Sequence, residues 1–199
     1  MLSFFPESTG LSSKSMGGRG VFLSFGCIFI KVVMPTVFLT SDTHFGHWGV
    51  CKFLRRDGTK LRPWNTPEEM DEALVANWNA VVKPTDKVYH LGDVVINKKA
   101  LKTLERLNGD KLLIKGNHDI FRLSEYSVYF RDIRAYHVMD KHILSHIPVH
   151  ESQFPRFCAN IHGHLHSNVL PDSRYINVCV EQTNFTPIPW ETVRQHHEC

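Results

Sequence analysis

The stretch Thr36-Val37-Phe38-Leu39-Thr40-Ser41-Asp42-Thr43-His44 reads as a short β-strand that delivers a carboxylate and an imidazole at its C-terminal end. The same arrangement recurs along the chain. Lys87 to Leu91 is β-like and stops at Gly92-Asp93, and Lys111 to Lys115 stops at Gly116-Asn117-His118-Asp119. Cys158 to His162 leads into Gly163-His164-Leu165-His166. Helical patterns fall between these runs. Thr66-Pro67-Glu68-Glu69 is a capping box with proline at the first helical position, opening a helix with Met70, Leu74 and Trp78 on its apolar stripe. A second helix is expected from about Lys98 to Leu107, ending at Asn108-Gly109. Further strands are expected at Ile133 to Val138 and His142 to Ser145, forming a hairpin across Asp140-Lys141, and at Tyr175 to Val180, with a short helix after Pro189. Alternating strands and helices give an α/β fold, and in such sheets ligands gather where loops leave the strand C-termini.

The side chains at those ends form one inventory. Asp42 and His44, two apart, would face the same way in extended backbone and chelate one ion. Asp93 is a natural bridging carboxylate, and Gly92 lets the backbone approach closely. Asn117 offers a neutral oxygen, and His118 beside it is placed to touch substrate. His164 and His166 would each serve a different ion if the chain twists between them, and His146, in Leu144-Ser145-His146-Ile147-Pro148, completes the set. Carboxylate, imidazole and amide oxygen suit Mn²⁺, Fe²⁺, Zn²⁺ or Ni²⁺, and two such ions sharing a carboxylate about 3.5 to 4 Å apart make a phosphate-ester hydrolase. Isolated histidines are usually surface or core residues, which is the reading for His90, His137, His142, His150, His196 and His197. His162 is ambiguous. His47 and Arg62 are candidate phosphate contacts, and Asp71 and Glu72 fit an exposed helix face.

The chain has 199 residues, enough for one catalytic domain over 34–199. The segment 1–33, Ser/Gly-rich and then apolar, is set apart as an extension without recognisable chemistry. Apolar and charged fractions of 42% and 22% are those of an ordinary globular protein, and a net charge of +3 suits an anionic substrate. Five cysteines without C-x-x-C spacing argue against a disulfide framework and read as reduced thiols in a cytoplasmic protein. No apolar run reaches the roughly 20 residues a membrane span needs, so no membrane partner is expected.

The ordered set D-x-H, G-D, G-N-H-D, H and G-H-x-H resembles the calcineurin-like metallophosphoesterase superfamily over Thr36 to about Val180, in its small single-domain bacterial and phage form. That resemblance implies a four-layer αββα sandwich with two mixed β-sheets. It implies one metal on Asp42, His44, Asp93 and His166, and the other on Asp93, Asn117, His146 and His164. Mn²⁺ is the expected ion in both. His118 would be the catalytic histidine, stabilising or protonating the leaving alkoxide after hydroxide bridging the metals attacks phosphorus, and Asp119 would orient a ligand. The missing V-D-R-G, the absence of a tyrosine from Val94 to Lys98 and the lack of a capping domain set it apart from protein phosphatases, purple acid phosphatases and Mre-type nucleases. The expected substrate is a small phosphodiester or phosphomonoester, including a nucleotide or nucleic-acid end, with diesters preferred. The competing reading is a catalytically weak protein-interaction scaffold on the same fold, against which the intact Asn117-His118-Asp119 weighs.

Overall fold

A computed structural model describes residues 34–195. The segment 1–33, read above as an extension, lies outside the described residues, as do His196 and His197. Among the described residues nine strands form two mixed sheets. The first holds β1 (Val37–Thr40), β2 (Lys87–His90), β3 (Asp110–Ile114), β4 (Asp132–Arg134) and β9 (Ile188–Pro189) in the order β4-β3-β2-β1-β9, parallel except for β9. The second holds β5 (Tyr136–Met139), β6 (His142–Ser145), β7 (Ala159–His162) and β8 (Tyr175–Asn177) in that order; β5 and β6 are antiparallel, and β6, β7 and β8 are parallel.

Period-two alternation builds two cores from the same strands. Phe38, Val88 and Leu113 face α1 (Pro67–Val81) and the 3₁₀ helix Lys98–Arg106, meeting Met70, Leu74, Trp78, Leu101 and Leu104. Leu39, Tyr89, Leu112 and Ile114 face the other way, onto Leu144 and Ile161 of the second sheet. Thr66 caps α1 as its sequence requires, its hydroxyl accepting from the Glu69 N–H at 3.2 Å. Trp190 of α2 (Trp190–Gln195) closes the inter-sheet core. The outer face of β7 carries Asn160, whose side chain accepts from the Val149 N–H at 2.9 Å and donates to the Ile143 carbonyl at 2.9 Å, seating the 147–157 connection over the second sheet. The result is an α/β sandwich of two mixed sheets flanked by helices.

Two expectations are corrected. The run 133–138 is two strands in different sheets, because the chain leaves the first sheet after Arg134 and enters the second at Tyr136; an apolar run reports burial but not which sheet buries it. The helix expected over 98–107 is 3₁₀. Cys51 and Cys179 are free and buried, and Cys27 and Cys199 lie outside the described residues. The β5–β6 hairpin turns at Asp140-Lys141, both with positive φ (46° and 61°), the geometry a two-residue type I′ turn demands.

Candidate metal centre

Loops leaving β1, β2, β3 and β7 meet at one edge of the sandwich. The first two run side by side: Asp42 N–H donates to Gly92 C=O at 2.9 Å, His44 N–H to Asp93 C=O at 3.0 Å, and Phe45 N–H to Val94 C=O at 2.9 Å. The end of β1 also touches the chain beyond β8, where Val180 N–H donates to Ser41 C=O at 3.1 Å and so brings the two sheets together beneath the site.

Asp42, His44, Asp93, His164 and His166 all have left-handed backbone, with φ of 59°, 50°, 57°, 68° and 50°. The expectation of an extended Asp42/His44 pair is therefore corrected: each is folded back by a turn. L-residues avoid this region at a cost of roughly 1 kcal/mol or more apiece. Gly92, at φ 95°, is required for a different reason. A Cβ there would lie 2.6 Å from the Gly116 amide nitrogen, so only glycine lets the second and third loops touch.

The side chains form two groups, Asp42 with His44 and His166, and Asp93 with His146 and His164, each offering ligand atoms within 4.8 Å of one another. Asp93 spans them. Its Oδ2 lies 3.7 Å from His44 Nε2 and 3.3 Å from His146 Nε2. Asn117 Oδ1 adds to the second group, 2.8 Å from His146 Nε2 and 2.9 Å from His164 Nδ1. Asp42 Oδ1 sits 3.7 Å from His44 Nε2 and 3.8 Å from His166 Nε2.

Asp42 Oδ1 and His44 Nε2 are buried without any hydrogen-bond partner, although an unsatisfied buried polar atom costs about 1–3 kcal/mol and a charged one more. A cation between them removes that cost, and the donor set suits borderline divalent ions. Burial works to raise the Asp42 pKa, but the neighbouring His44 imidazole and the charges of His146 and His166 outweigh it and hold the carboxylate well below its ordinary range. Asp93 is lowered in the same way, chiefly by His146 against burial. Both carboxylates are therefore ionised and ready to ligate.

Each carboxylate divides its oxygens. Asp42 uses Oδ2 as a structural acceptor, taking Ser41 Oγ at 2.5 Å, the His164 N–H at 2.8 Å and Cys179 Sγ at 3.1 Å. Asp93 Oδ1 accepts the His118 N–H at 2.8 Å. The remaining oxygen of each is left for the clusters. Asp119, fully buried, spends both oxygens on the loops: Oδ2 accepts from Asp93 N–H (2.9 Å) and Gly116 N–H (2.8 Å), and Oδ1 from Val94 N–H (2.9 Å). It thus sets the orientation of Asp93.

Imidazole orientation is fixed as well. His146 Nδ1 donates to the Leu91 carbonyl at 2.7 Å, which leaves Nε2 for the cluster. His166 Nδ1 meets Glu181 Oε1 at 3.1 Å. Glu181, unmentioned in the sequence reading, also takes Arg62 Nε at 2.8 Å and Nη2 at 2.7 Å, with both side chains fully buried. Arg62 in turn donates to the Asp42 carbonyl at 2.5 Å and the Thr43 carbonyl at 2.7 Å. The expectation that Arg62 contacts substrate is thereby corrected: its nitrogens are committed inside the protein, where they hold the first loop. Asn177 ties the fourth loop, donating to the His166 carbonyl at 2.9 Å.

Of the other candidates, His47 stands 5.5 Å from the His44 ring at the half-buried margin of the site, and His118 is exposed, edge-on to His44 at 5.6 Å. His162 is buried behind the loop with Nδ1 on the Gly163 carbonyl at 2.8 Å and belongs to neither cluster. His90 is a core residue held by Thr43 Oγ1 at 3.0 Å. Asp71 is not on an exposed face, as expected above; it accepts from the Gly46 N–H at 3.0 Å and steadies the loop after His44.

The family model for calcineurin-like phosphoesterases matches residues 35–198. An uncharacterized protein of Methanocaldococcus jannaschii is 36% identical over 175 residues, spanning 80% of this chain and 90% of that one. The crystal structure of a protein of unknown function from Aquifex aeolicus shares the fold with a TM-score of 0.64 at 24% identity, covering 82% of this chain and all of its own. With the match running through every loop that meets at the centre, the chain belongs to the calcineurin-like phosphoesterase family.

Proposed function

We propose that residues 34–199 form a dinuclear metal-dependent phosphoesterase acting on small phosphorylated substrates, with phosphodiesters preferred and 1–33 an N-terminal extension that takes no part in the chemistry. One observation carries the reading: two ligand clusters adjoin through Asp93, whose Oδ2 lies 3.7 Å from His44 Nε2 and 3.3 Å from His146 Nε2, and the buried donor atoms Asp42 Oδ1 and His44 Nε2 have no hydrogen-bond partner. Asp42, His44, Asp93 and His166 would hold one ion, and Asp93, Asn117, His146 and His164 the other, with Mn²⁺ the expected ion and Fe²⁺, Zn²⁺ and Ni²⁺ the alternatives that the same mixed oxygen and nitrogen donors accept. When bound, the ions supply Lewis acidity toward phosphoryl oxygens and acidify a water near neutral pH.

The chain's own residues do the rest. His118 is fastened through its backbone to Asp93 Oδ1, so its exposed ring stands at the mouth of the clusters, where it protonates the departing alkoxide. Cys179, the thiol against Asp42, is buried and pushed well above its ordinary pKa by that burial and by Asp42 and Glu181, which removes it as a nucleophile. No membrane span competes with this reading in the described residues, where no helix is long and apolar enough to cross a bilayer.

The test is hydrolysis of aryl mono- and diesters, cyclic nucleotides and single-stranded oligonucleotides by the chain loaded with Mn²⁺, Fe²⁺, Zn²⁺ or Ni²⁺. Diester cleavage lost in EDTA and in Asp93→Asn is expected. Turnover indifferent to both would overturn the proposal.

A further inference from the structure

Beside the clusters stands a short hairpin whose chemistry the hydrolytic reading does not use. Phe53 C=O accepts the Leu61 N–H at 2.8 Å, Leu54 bridges Lys60, and Arg55 C=O accepts the Gly58 N–H at 3.0 Å. Asp57 Oδ1 locks the tip by accepting the Thr59 N–H at 2.9 Å and its hydroxyl at 2.6 Å. The tip is therefore a built element that can present its side chains in fixed positions.

It borders the centre on two sides. His47, 5.5 Å from His44, meets the Phe53 ring edge-on at 5.9 Å. On the other side Arg55, Arg56, Asp57, Ser167 and Asn168 line a cavity of about 240 Å³. Ser167 directly follows His166, and Asn177 Nδ2 ties the His166 and Asn168 carbonyls together, both at 2.9 Å. The cavity thus begins one residue from a cluster member, within a few ångström of chain.

Charge and exposure single the hairpin out. Residues 48–61 contain Lys52, Arg55, Arg56 and Lys60 against Asp57 alone, an excess equal to the +3 of the whole chain, so the remainder is neutral. Arg62, Arg106, Arg131, Arg134, Arg174 and Arg194 each hold a carboxylate, whereas Arg55, Arg56, Arg122 and Arg156 hold none among the described residues; of these four only Arg55 and Arg56 are adjacent, Arg56 making no hydrogen bond or ion pair and Arg55 reaching only the Leu61 carbonyl at 3.4 Å. Phe53, 49% exposed, lies two residues before Arg55 on the same side of the extended hairpin arm. Trp48 is also exposed, but Lys52 covers one face of its ring at 4.8 Å. An uncommitted guanidinium pair next to an open aromatic face, both adjoining a phosphoester centre, matches a phosphate followed by a base.

We propose that the 53–61 hairpin is the subsite for the nucleotide flanking the scissile ester of a single-stranded oligonucleotide, with Arg55 and Arg56 taking its phosphate and Phe53 stacking its base. A paired duplex hides the base face that Phe53 needs, so the strand must be single. The inference rests on the phosphoesterase reading for the fate of the strand but not for its capture.

The experiment separates the two. Anisotropy of a labelled oligothymidylate is measured on the full chain in EDTA, where no turnover occurs, alongside Mn²⁺-dependent hydrolysis of an aryl phosphodiester that has no second phosphate. Arg55→Ala and Arg56→Ala are expected to weaken strand binding on the order of tenfold each, and the double variant to flatten the salt dependence by about 0.7 per lost phosphate contact. Phe53→Ala should weaken it by a similar factor, while aryl diester hydrolysis stays within twofold in all four variants, since none of the three residues belongs to the clusters. Strand binding unchanged in the double arginine variant, or a mononucleotide binding as tightly as the strand, overturns the subsite. Loss of aryl hydrolysis with intact strand capture would leave the subsite standing and defeat the phosphoesterase reading instead.

Discussion

Substituting Glu181 by alanine removes the one carboxylate that Arg62 and His166 share. Arg62 is fully buried and gives Glu181 two nitrogens at 2.7–2.8 Å, so the truncation strands a guanidinium in the interior. Breaking a buried pair from one side costs about 3–5 kcal/mol, a large share of the roughly 5–15 kcal/mol that holds a domain together. For a unit of this size each kcal/mol is worth about 2–4 °C, so melting in EDTA should fall by roughly 10 °C. Burial alone would raise the Glu181 pKa, yet Arg62 and His166 bring it below its ordinary value. The pair therefore contributes stability that is present above the unfolded carboxylate pKa and is lost as pH falls through the folded one. His166 also loses the acceptor that aims its ring, which should weaken Mn²⁺ binding about 10- to 100-fold by calorimetry. Pairing Glu181→Ala with Arg62→Met should recover part of the stability, because no charge is then stranded, but none of the metal affinity, because the Asp42 and Thr43 carbonyls lose their donor. A single variant that melts within 2 °C of the parent in EDTA would refute this account of the buried pair.

Other outcomes can be checked in parallel. Asp119→Ala should cost about 3 kcal/mol or more in chemical denaturation and abolish tight metal binding, since it leaves the Asp93, Val94 and Gly116 amides without their acceptor; near-parent values of both would show the loops hold without it. His118→Ala should bind metal normally and hydrolyse about 10²- to 10⁴-fold more slowly, with parent-like turnover removing the ring from the chemistry. Burial lifts the Asp71 carboxyl to about 6, against the Gly46 hydrogen bond that lowers it. The folded state then binds the proton more tightly than the unfolded one, and this group's contribution to stability, full below about pH 4, is lost as pH rises through 6. A carbon-13 titration of Asp71 with its midpoint near 4 would contradict that.

Much of this architecture is legible in the chain because the motifs sit where local rules operate. Apolar β-rich runs ending in Asp or Gly-Asn locate β1, β2 and β3, Thr66 announces α1, and Asp140-Lys141 marks a hairpin. What escapes has a common cause. Glu181 meets Arg62 across 119 positions and Cys179 meets Asp42 across 137, so neither contact leaves a spacing to read. Arg62 carries the charge of a phosphate binder, and only its burial reveals that the charge is used internally. Ile133 and Val138 are both apolar in one β-like run, yet the break between sheets at Ala135 is decided by which layer each half can bury against. The extended Asp42/His44 pair failed for the complementary reason: left-handed turns usually advertise themselves with glycine, and here they are imposed on aspartate and histidine by the hydrogen bonds around them.

Those left-handed turns also determine how the centre can be inherited or rebuilt. Five of the seven proposed ligands reach their places through the conformation of their own main chain, so copying the side chains onto a foreign scaffold transfers the reagents without the jig. Asparagine, which tolerates such torsions, should leave these loops intact while weakening their grip on cations. Valine or isoleucine at 42 or 93 should break the loop itself. Divergence within such a centre is thereby channelled toward replacements that the backbone already permits, whatever chemistry selection favours.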